Sequence, residues 1–212
     1  MNLNNDRAIK LAEFLLQIKA IKLQTTNPFI WASGWKSPIY CDNRVTLSHP
    51  KVRTYIRQSF SELIVEKFGK PNIIAGVATG GIPHGVLVAQ DLGIPFIYVR
   101  NSPKGHGLGK VIEGYYEEGQ SVVVIEDLIS TGSSSLEAVK NLKEAKLNVK
   151  GLVAIFTYGF DESIQRFKKM KCEFETLTNY EYLMESALKK KYIDEEELKS
   201  LVEWKRNPTD WK

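Results

Sequence analysis

The hydrophobic positions of the chain follow two different periods, and the change falls near residue 70. Before it, apolar side chains recur at helical spacing from Ile9 to Ile18 and again from Val52 to Ile64, which predicts two helices, the second with Pro50 in its first turn and stopped by Gly69. Asn5 or Asp6 is predicted to cap the first helix. The intervening segment, Pro28 to Arg44, mixes aromatic residues with glycine and proline and is predicted to be extended or turning chain.

Beyond that point, short apolar runs alternate with helical stretches, which is the pattern of an α/β domain. The strand-like runs are apolar throughout, as expected of central strands covered by helices on both faces. We therefore predict a mostly parallel central sheet flanked by helices. The alternating segments are Ile73 to Val77, Ile82 to Leu92, Phe96 to Val99, Val122 to Ile125, Leu136 to Ala145 and Leu152 to Phe156, followed by a helix over 164–170, a strand over 174–177 and two charged helices ending near Trp204.

Composition narrows the class of protein. With 212 residues, of which 43% are hydrophobic, the chain can bury one substantial core, or a core plus a small flanking lobe, and we predict one domain with appendages. The net charge of +4 is small and dispersed, which argues against a nucleic-acid partner and suits anionic small substrates. No apolar run approaches the length of a membrane span, so no membrane association is expected. Cys41 and Cys172 lie far apart and in no metal-ligand spacing, so the reducing cytoplasm is the expected location.

The segment from Glu126 to Ser135 carries the strongest chemical signal. It follows the predicted strand Val122 to Ile125, and ligands of open α/β sheets bind outside the carboxyl ends of the strands. The hydroxyl-rich part around Gly132 opens a predicted helix, whose N-terminal amides suit a phosphate monoester. The acidic pair Glu126 and Asp127 suits ribose hydroxyls or hydrated Mg²⁺ instead. Either half has an ordinary explanation, a strand end or a helix cap, but together they favour a sugar with a phosphate at one end.

A second glycine-rich turn, Ala75 to Pro83, also ends a strand and opens a helix. The amides of Thr79, Gly80 and Gly81 are predicted to cradle a further anion, namely pyrophosphate. An ordinary tight βα turn is the alternative, since such turns are common. Neither a P-loop string nor a dinucleotide-binding glycine fingerprint occurs in the sequence.

An apolar run, two acids, two further residues and a Thr-Gly loop together resemble the PRPP-binding signature of the type I phosphoribosyltransferases. The likeness implies that family's fold, with a small N-terminal hood over about 1–46, a PRPP-binding core over about 47–178 and C-terminal helices over 179–212. It also implies that PRPP contacts a continuous stretch of the chain. That stretch is Glu126, Asp127, Leu128, Ile129, Ser130, Thr131, Gly132, Ser133 and Ser134.

Two more segments are similar to the orotate-specific members of that family. Ser33 to Arg44 resembles their base-binding entry, which implies that Tyr40, Cys41 and also Ser130 meet the orotate ring. The glycine-rich segment after Arg100 resembles their mobile catalytic loop, which closes over the neighbouring subunit and so implies a homodimer with shared active sites. In that loop, Arg100, Lys104 and His106 are expected to contact PRPP. The family often has lysine where Ala32, Gly80 and Asn101 stand here.

The resemblance implies a pentosyltransferase that moves ribose 5-phosphate from PRPP to orotate, giving orotidine 5′-monophosphate and pyrophosphate in pyrimidine biosynthesis. Lys104, His106 and Asp127 are the expected catalytic residues, and no covalent nucleophile is needed. Mg²⁺ is expected as the cofactor, carried by PRPP and near Glu126 and Asp127 through water, without a direct protein ligand. Two alternatives remain, namely transfer to a purine or to uracil, and a regulator that senses PRPP without turnover.

Overall fold

The structure is a computed structural model that describes residues 3–31, 34–100, 111–209 and 211. The chain divides into two compact units, a smaller one formed by Met1–Val52 with Thr178–Lys212 and a larger one formed by Arg53–Leu177. The helices are α1 (Leu3–Gln17), α2 (Pro50–Phe68), α3 (Gly81–Leu92), α4 (Ser133–Glu144), α5 (Asp161–Lys169), α6 (Tyr180–Lys189) and α7 (Glu195–Arg206), with a 3₁₀ helix at Asn43–Ser48. The strands are β1 (Ile21–Leu23), β2 (Phe29–Ile30), β3 (Lys36–Ser37), β4 (Ile39–Cys41), β5 (Ile73–Val77), β6 (Phe96–Val99), β7 (Ile112–Glu113), β8 (Ser121–Ile129), β9 (Asn148–Thr157) and β10 (Phe174–Asn179).

A six-stranded sheet in the order β10-β9-β8-β5-β6-β7 forms the centre of the larger unit. The pairs β5·β6, β5·β8 and β8·β9 are parallel, and the pair β6·β7 is antiparallel. The side chains from Val122 to Ile125 on the central strand β8 have no exposed surface. Such burial is expected for a parallel strand covered on both faces, and it explains the unbroken apolar run in the sequence. The predicted mostly parallel sheet flanked by helices is thus confirmed.

Three local expectations were wrong. Strand β8 does not end at Ile125 but continues to Ile129, because the neighbouring strand β9 supplies partners as far as Thr157. The short strand β7 lies at the end of the glycine-rich segment that was expected to form a mobile loop, and its antiparallel pairing with β6 gives it a partner that local composition does not reveal. Helix α1 begins at Leu3, so Asn5 and Asp6 lie inside its first turn and do not cap it.

The smaller unit contains α1, the two C-terminal helices and two short antiparallel sheets, β1 with β4 and β2 with β3. Tyr182 on α6 donates a hydrogen bond of 2.7 Å to the side chain of Asn5 on α1. The buried indole of Trp204 on α7 donates to the carbonyl of Lys36, 3.1 Å away. These bonds fix the helices within the unit. In the part of the chain that the structure describes, no helix combines the length and the apolar character of a membrane span.

Candidate active site

Glu126 and Asp127 lie near the carboxyl end of β8, but their side chains have different surroundings. Glu126 is 5% exposed, and its two carboxylate oxygens accept hydrogen bonds from Ser135 Oγ at 3.1 Å and from the Asp127 amide at 3.0 Å. Burial, and then the neighbouring Asp127 carboxylate, raise the pKa of Glu126 well above its usual range. Asp127 is partly exposed. Glu126 thus ties the strand to the first turn of α4 through Ser135, whereas Asp127 is accessible to a ligand.

Three glycines let the start of α3 pack closely against the neighbouring strands β5 and β8. A Cβ atom added at Gly81 would lie 2.3 Å from the carbonyl oxygen of Ile125, and one added at Gly76 would lie 2.9 Å from the carbonyl oxygen of Gly81. At Gly80 an added Cβ would lie 2.3 Å from the carboxylate carbon of Asp127. Only residues without side chains allow so close an approach.

The turn predicted to bind pyrophosphate and the Asp127 carboxylate predicted to bind ribose are therefore neighbours. Gly81 is the first residue of α3, Gly80 caps it and Thr79 precedes the cap, and the N-terminus of a helix favours negative charge through its amides and its dipole. The carboxylate of Asp127 lies beside this turn. The space that a side chain at position 80 would need is filled by that carboxylate, which gives a physical reason for glycine there.

The hydroxyl-rich loop from Ser130 to Ser134 forms the second part of the site. Gly132 has φ of 77°, in the left-handed region that favours glycine, and α4 starts at the next residue. Ser133 and Ser134 are exposed, and the hydroxyls of Thr131 and Ser133 are hydrogen-bonded at 3.1 Å. The loop therefore presents hydroxyl groups at the N-terminus of a helix, an arrangement that suits a phosphate monoester.

The end of β9, the strand paired with β8, supports this loop. Thr157 Oγ1 and the Tyr158 amide both donate to the carbonyl of Ile129, each at 3.2 Å. The side chain of Ile129 has no exposed surface and belongs to the core, so any contact of this residue with a ligand would involve its backbone. Leu128 is partly exposed. Sequence reasoning missed Thr157, although a hydroxyl that ends an apolar run is a detectable signal.

Helix α5 also reaches the loop, and sequence reasoning missed it as well. A Cβ atom added at Gly132 would lie 2.8 Å from the buried ring of Phe167. Arg166 Nη1 donates a hydrogen bond of 2.7 Å to Ser133 Oγ. No local motif marks these two residues, because they approach the loop only through the packing of α5 on the sheet.

The other predicted site residues are distributed as follows. Arg100 follows β6, and its guanidinium forms an ion pair of 3.5 Å with Glu113. Lys104 and His106 lie outside the described residues, so their placement is untested. Tyr40 and Cys41 belong to the smaller unit, where the Tyr40 side chain is 39% exposed and Cys41 Sγ donates to Asn43 at 3.5 Å.

The raised pKa of Glu126 predicts a pH-dependent stability. A carboxyl that binds its proton more tightly in the folded state makes the free energy of unfolding fall as pH rises from about 4.3 through the folded-state pKa. In the ligand-free protein a Glu126→Gln variant should lack this fall, so it should gain stability over the parent as pH increases. Urea unfolding at a series of pH values measures this, with Glu137→Gln on the exposed face of α4 as a matched control. Parallel curves for the parent and Glu126→Gln would contradict the expected burial cost.

Comparisons with known proteins agree on one family. The model of the phosphoribosyl transferase domain matches residues 46–185. An orotate phosphoribosyltransferase of Phocaeicola vulgatus is 56% identical over 200 residues, which cover 94% of each chain. The crystal structure of orotate phosphoribosyltransferase from Aeropyrum pernix superposes with a TM-score of 0.76 at 25% identity, covering 87% of this chain and 99% of that one. The UMP synthase of Leishmania donovani gives a TM-score of 0.77 at 25% identity, covering 93% of this chain and 42% of that longer chain.

Proposed function

The chain belongs to the orotate phosphoribosyltransferases of the phosphoribosyl transferase domain family, and from this premise we propose how its residues perform the transfer. The reaction moves ribose 5-phosphate from PRPP to orotate and releases pyrophosphate. One observation carries the assignment of roles, namely the Asp127 carboxylate lying against Gly80 at the start of α3. A ribose held by Asp127 would have its diphosphate beside that turn and its 5′-phosphate in the loop around Gly132.

Catalysis in this arrangement rests on position and charge. The anomeric carbon passes through an oxocarbenium-like transition state, so no covalent nucleophile is required. Asp127 binds a ribose hydroxyl and stabilises the positive charge that develops on the ring. Glu126 acts behind it, because its buried carboxylate orients Ser135 and the Asp127 amide. The loop from Ser130 to Ser134 holds the 5′-phosphate, with Leu128 and Ile129 contributing through the backbone.

The residues around Asp127 fit a magnesium ion that arrives with the substrate. Among the described residues, no group of three or more His, Cys, Asp or Glu side chains could hold a metal by itself. Mg²⁺ commonly keeps several waters and binds substrate phosphates with few protein carboxylates, and the accessible Asp127, with the buried Glu126 behind it, would meet such an ion through water beside the pyrophosphate turn. When bound, the ion neutralises charge on the diphosphate.

The remaining roles rest on resemblance. Tyr40 and Cys41, with Ser130, bind orotate, and Arg100, Lys104 and His106 close over the diphosphate of the neighbouring subunit in a homodimer. In such a lid, the cations neutralise the leaving group and the closed loop keeps water from PRPP. Both cysteines are free thiols, which fits a cytoplasmic enzyme of pyrimidine biosynthesis.

The direct test is a substrate panel. We expect the protein, incubated with Mg²⁺ and PRPP, to consume orotate and to release one pyrophosphate for each orotidine 5′-monophosphate formed. Hypoxanthine, adenine and uracil should remain unchanged under the same conditions. Consumption of one of those bases instead would move the assignment to another phosphoribosyltransferase. Binding of PRPP without turnover of any base would favour a sensor.

A further inference from the structure

Arg166, on helix α5, contacts the hydroxyl-rich loop around Gly132. Its Nη1 atom donates a hydrogen bond of 2.7 Å to Ser133 Oγ in the hydroxyl-rich loop. Its Nη2 atom forms an ion pair of 2.5 Å with Glu162, one turn earlier on the same helix. The Arg166 side chain is 43% exposed, and Ser133 in the loop is exposed as well. The guanidinium is therefore held between an acid and the first residue of α4.

The packing of α5 makes this reach a property of the fold. Phe167, the next residue, is 1% exposed and lies under Gly132, where an added Cβ would come within 2.8 Å of its ring. On its other side, the Phe167 ring packs on Phe174 with centroids 4.4 Å apart. Because Phe167 is anchored in the core directly beneath the loop, the adjacent Arg166 is carried to the edge of the loop.

A guanidinium at this place changes what the loop can bind. Arginine presents five N–H donors in a planar fork, and the two contacts described engage one terminal nitrogen each. The Ser133 hydroxyl that Arg166 contacts is itself hydrogen-bonded to Thr131 Oγ1, so the cation, the two hydroxyls and the N-terminus of α4 are adjacent. Phosphate recognised by arginine gains charge-assisted hydrogen bonds, which are stronger than those from neutral donors.

We propose that Arg166 is a further binding residue for the 5′-phosphate of PRPP, held in place by Glu162. The inference rests on the proposed function, since it takes the loop around Gly132 to be the 5′-phosphate site. It adds to that loop a cation from outside the sequence motif. The contribution falls on substrate binding, because the 5′-phosphate lies at the opposite end of the sugar from the anomeric carbon.

Steady-state kinetics of an Arg166→Gln variant test this role. We expect KM for PRPP to rise by roughly tenfold or more, as for loss of a hydrogen bond to a charged group, while kcat stays within about twofold. The Arg166→Lys variant keeps the positive charge but loses the planar guanidinium. Its KM for PRPP should therefore lie between those of the parent and of Arg166→Gln. Lys169→Gln removes the same charge from an exposed position on α5 and should leave KM unchanged.

A binding experiment without turnover separates this inference from the proposed function. Measured by calorimetry, Arg166→Gln should lower the affinity for ribose 5-phosphate, which carries the 5′-phosphate. The affinity for pyrophosphate should stay unchanged. An unaltered affinity for ribose 5-phosphate, or an equal loss for both ligands, would overturn the role of Arg166. Failure of the parent protein to convert orotate would instead overturn the proposed function, and the calorimetric comparison would still report on Arg166.

Discussion

An Asp127→Asn variant should lose roughly 10²- to 10³-fold in kcat, because it removes a preorganised charge from the reacting centre and keeps the shape of the side chain. Asp127 is the partly exposed member of the acidic pair, and it lies against the start of α3 at Gly80. We propose that it binds ribose and stabilises the oxocarbenium-like transition state. The charge develops in that state, so the loss should appear in kcat more than in KM for PRPP.

The measurement is initial-rate kinetics with Mg²⁺, PRPP and orotate, together with a thermal unfolding curve. Asp161→Asn provides the control, because it removes the same charge from an exposed position in the first turn of α5. That control should retain the parent kcat. An Asp127→Asn variant with near-parent kcat would exclude Asp127 from charge stabilisation, even if orotate remained the substrate.

Gly81→Ala and Gly80→Ala should affect different properties, stability at position 81 and turnover at position 80, although they are adjacent and chemically identical changes. At position 81 the new Cβ would meet the carbonyl oxygen of Ile125 at 2.3 Å. The new Cβ is fixed to the backbone of α3 and the carbonyl belongs to that of β8, and these cannot move apart without disturbing the packing. We expect the free energy of unfolding to fall by about 3 kcal/mol, the upper part of the range for overpacking. At position 80 the new Cβ would meet the Asp127 carboxylate, which can rotate away. Stability should change by less than about 1 kcal/mol there, but kcat should fall because Asp127 is displaced.

Urea unfolding and steady-state kinetics on both variants separate the two effects. Gly93→Ala serves as a reference, since an added Cβ there has no neighbour within 4 Å and the cost is that of a positive φ alone. Equal losses of stability at 80 and 81, or unchanged kinetics in Gly80→Ala, would contradict the close approach of the α3 turn to Asp127.

The strand-rich centre of the fold was accessible from the sequence. The run Phe96 to Val99 forms β6 with those bounds, and the helix after Gly80 begins one residue before its predicted start. Strand ends were less accessible. The last four residues of β8 include two acids, and only pairing with β9 keeps them extended. Local composition describes a residue's preference, but a strand ends where its partner does.

The acidic pair and the loop that follows it were identified from the sequence by itself, because the carboxyl end of a parallel strand and a glycine-opened helix start are local features. The fold class followed from the period of apolar residues for the same reason. What only the tertiary structure decided was how these parts divide the work. Packing buried Glu126 against Ser135, left Asp127 beside Gly80 and brought Arg166 to Ser133. Those relations join residues from 9 to 47 positions apart, and distances across a folded core are set by packing, which no local pattern encodes.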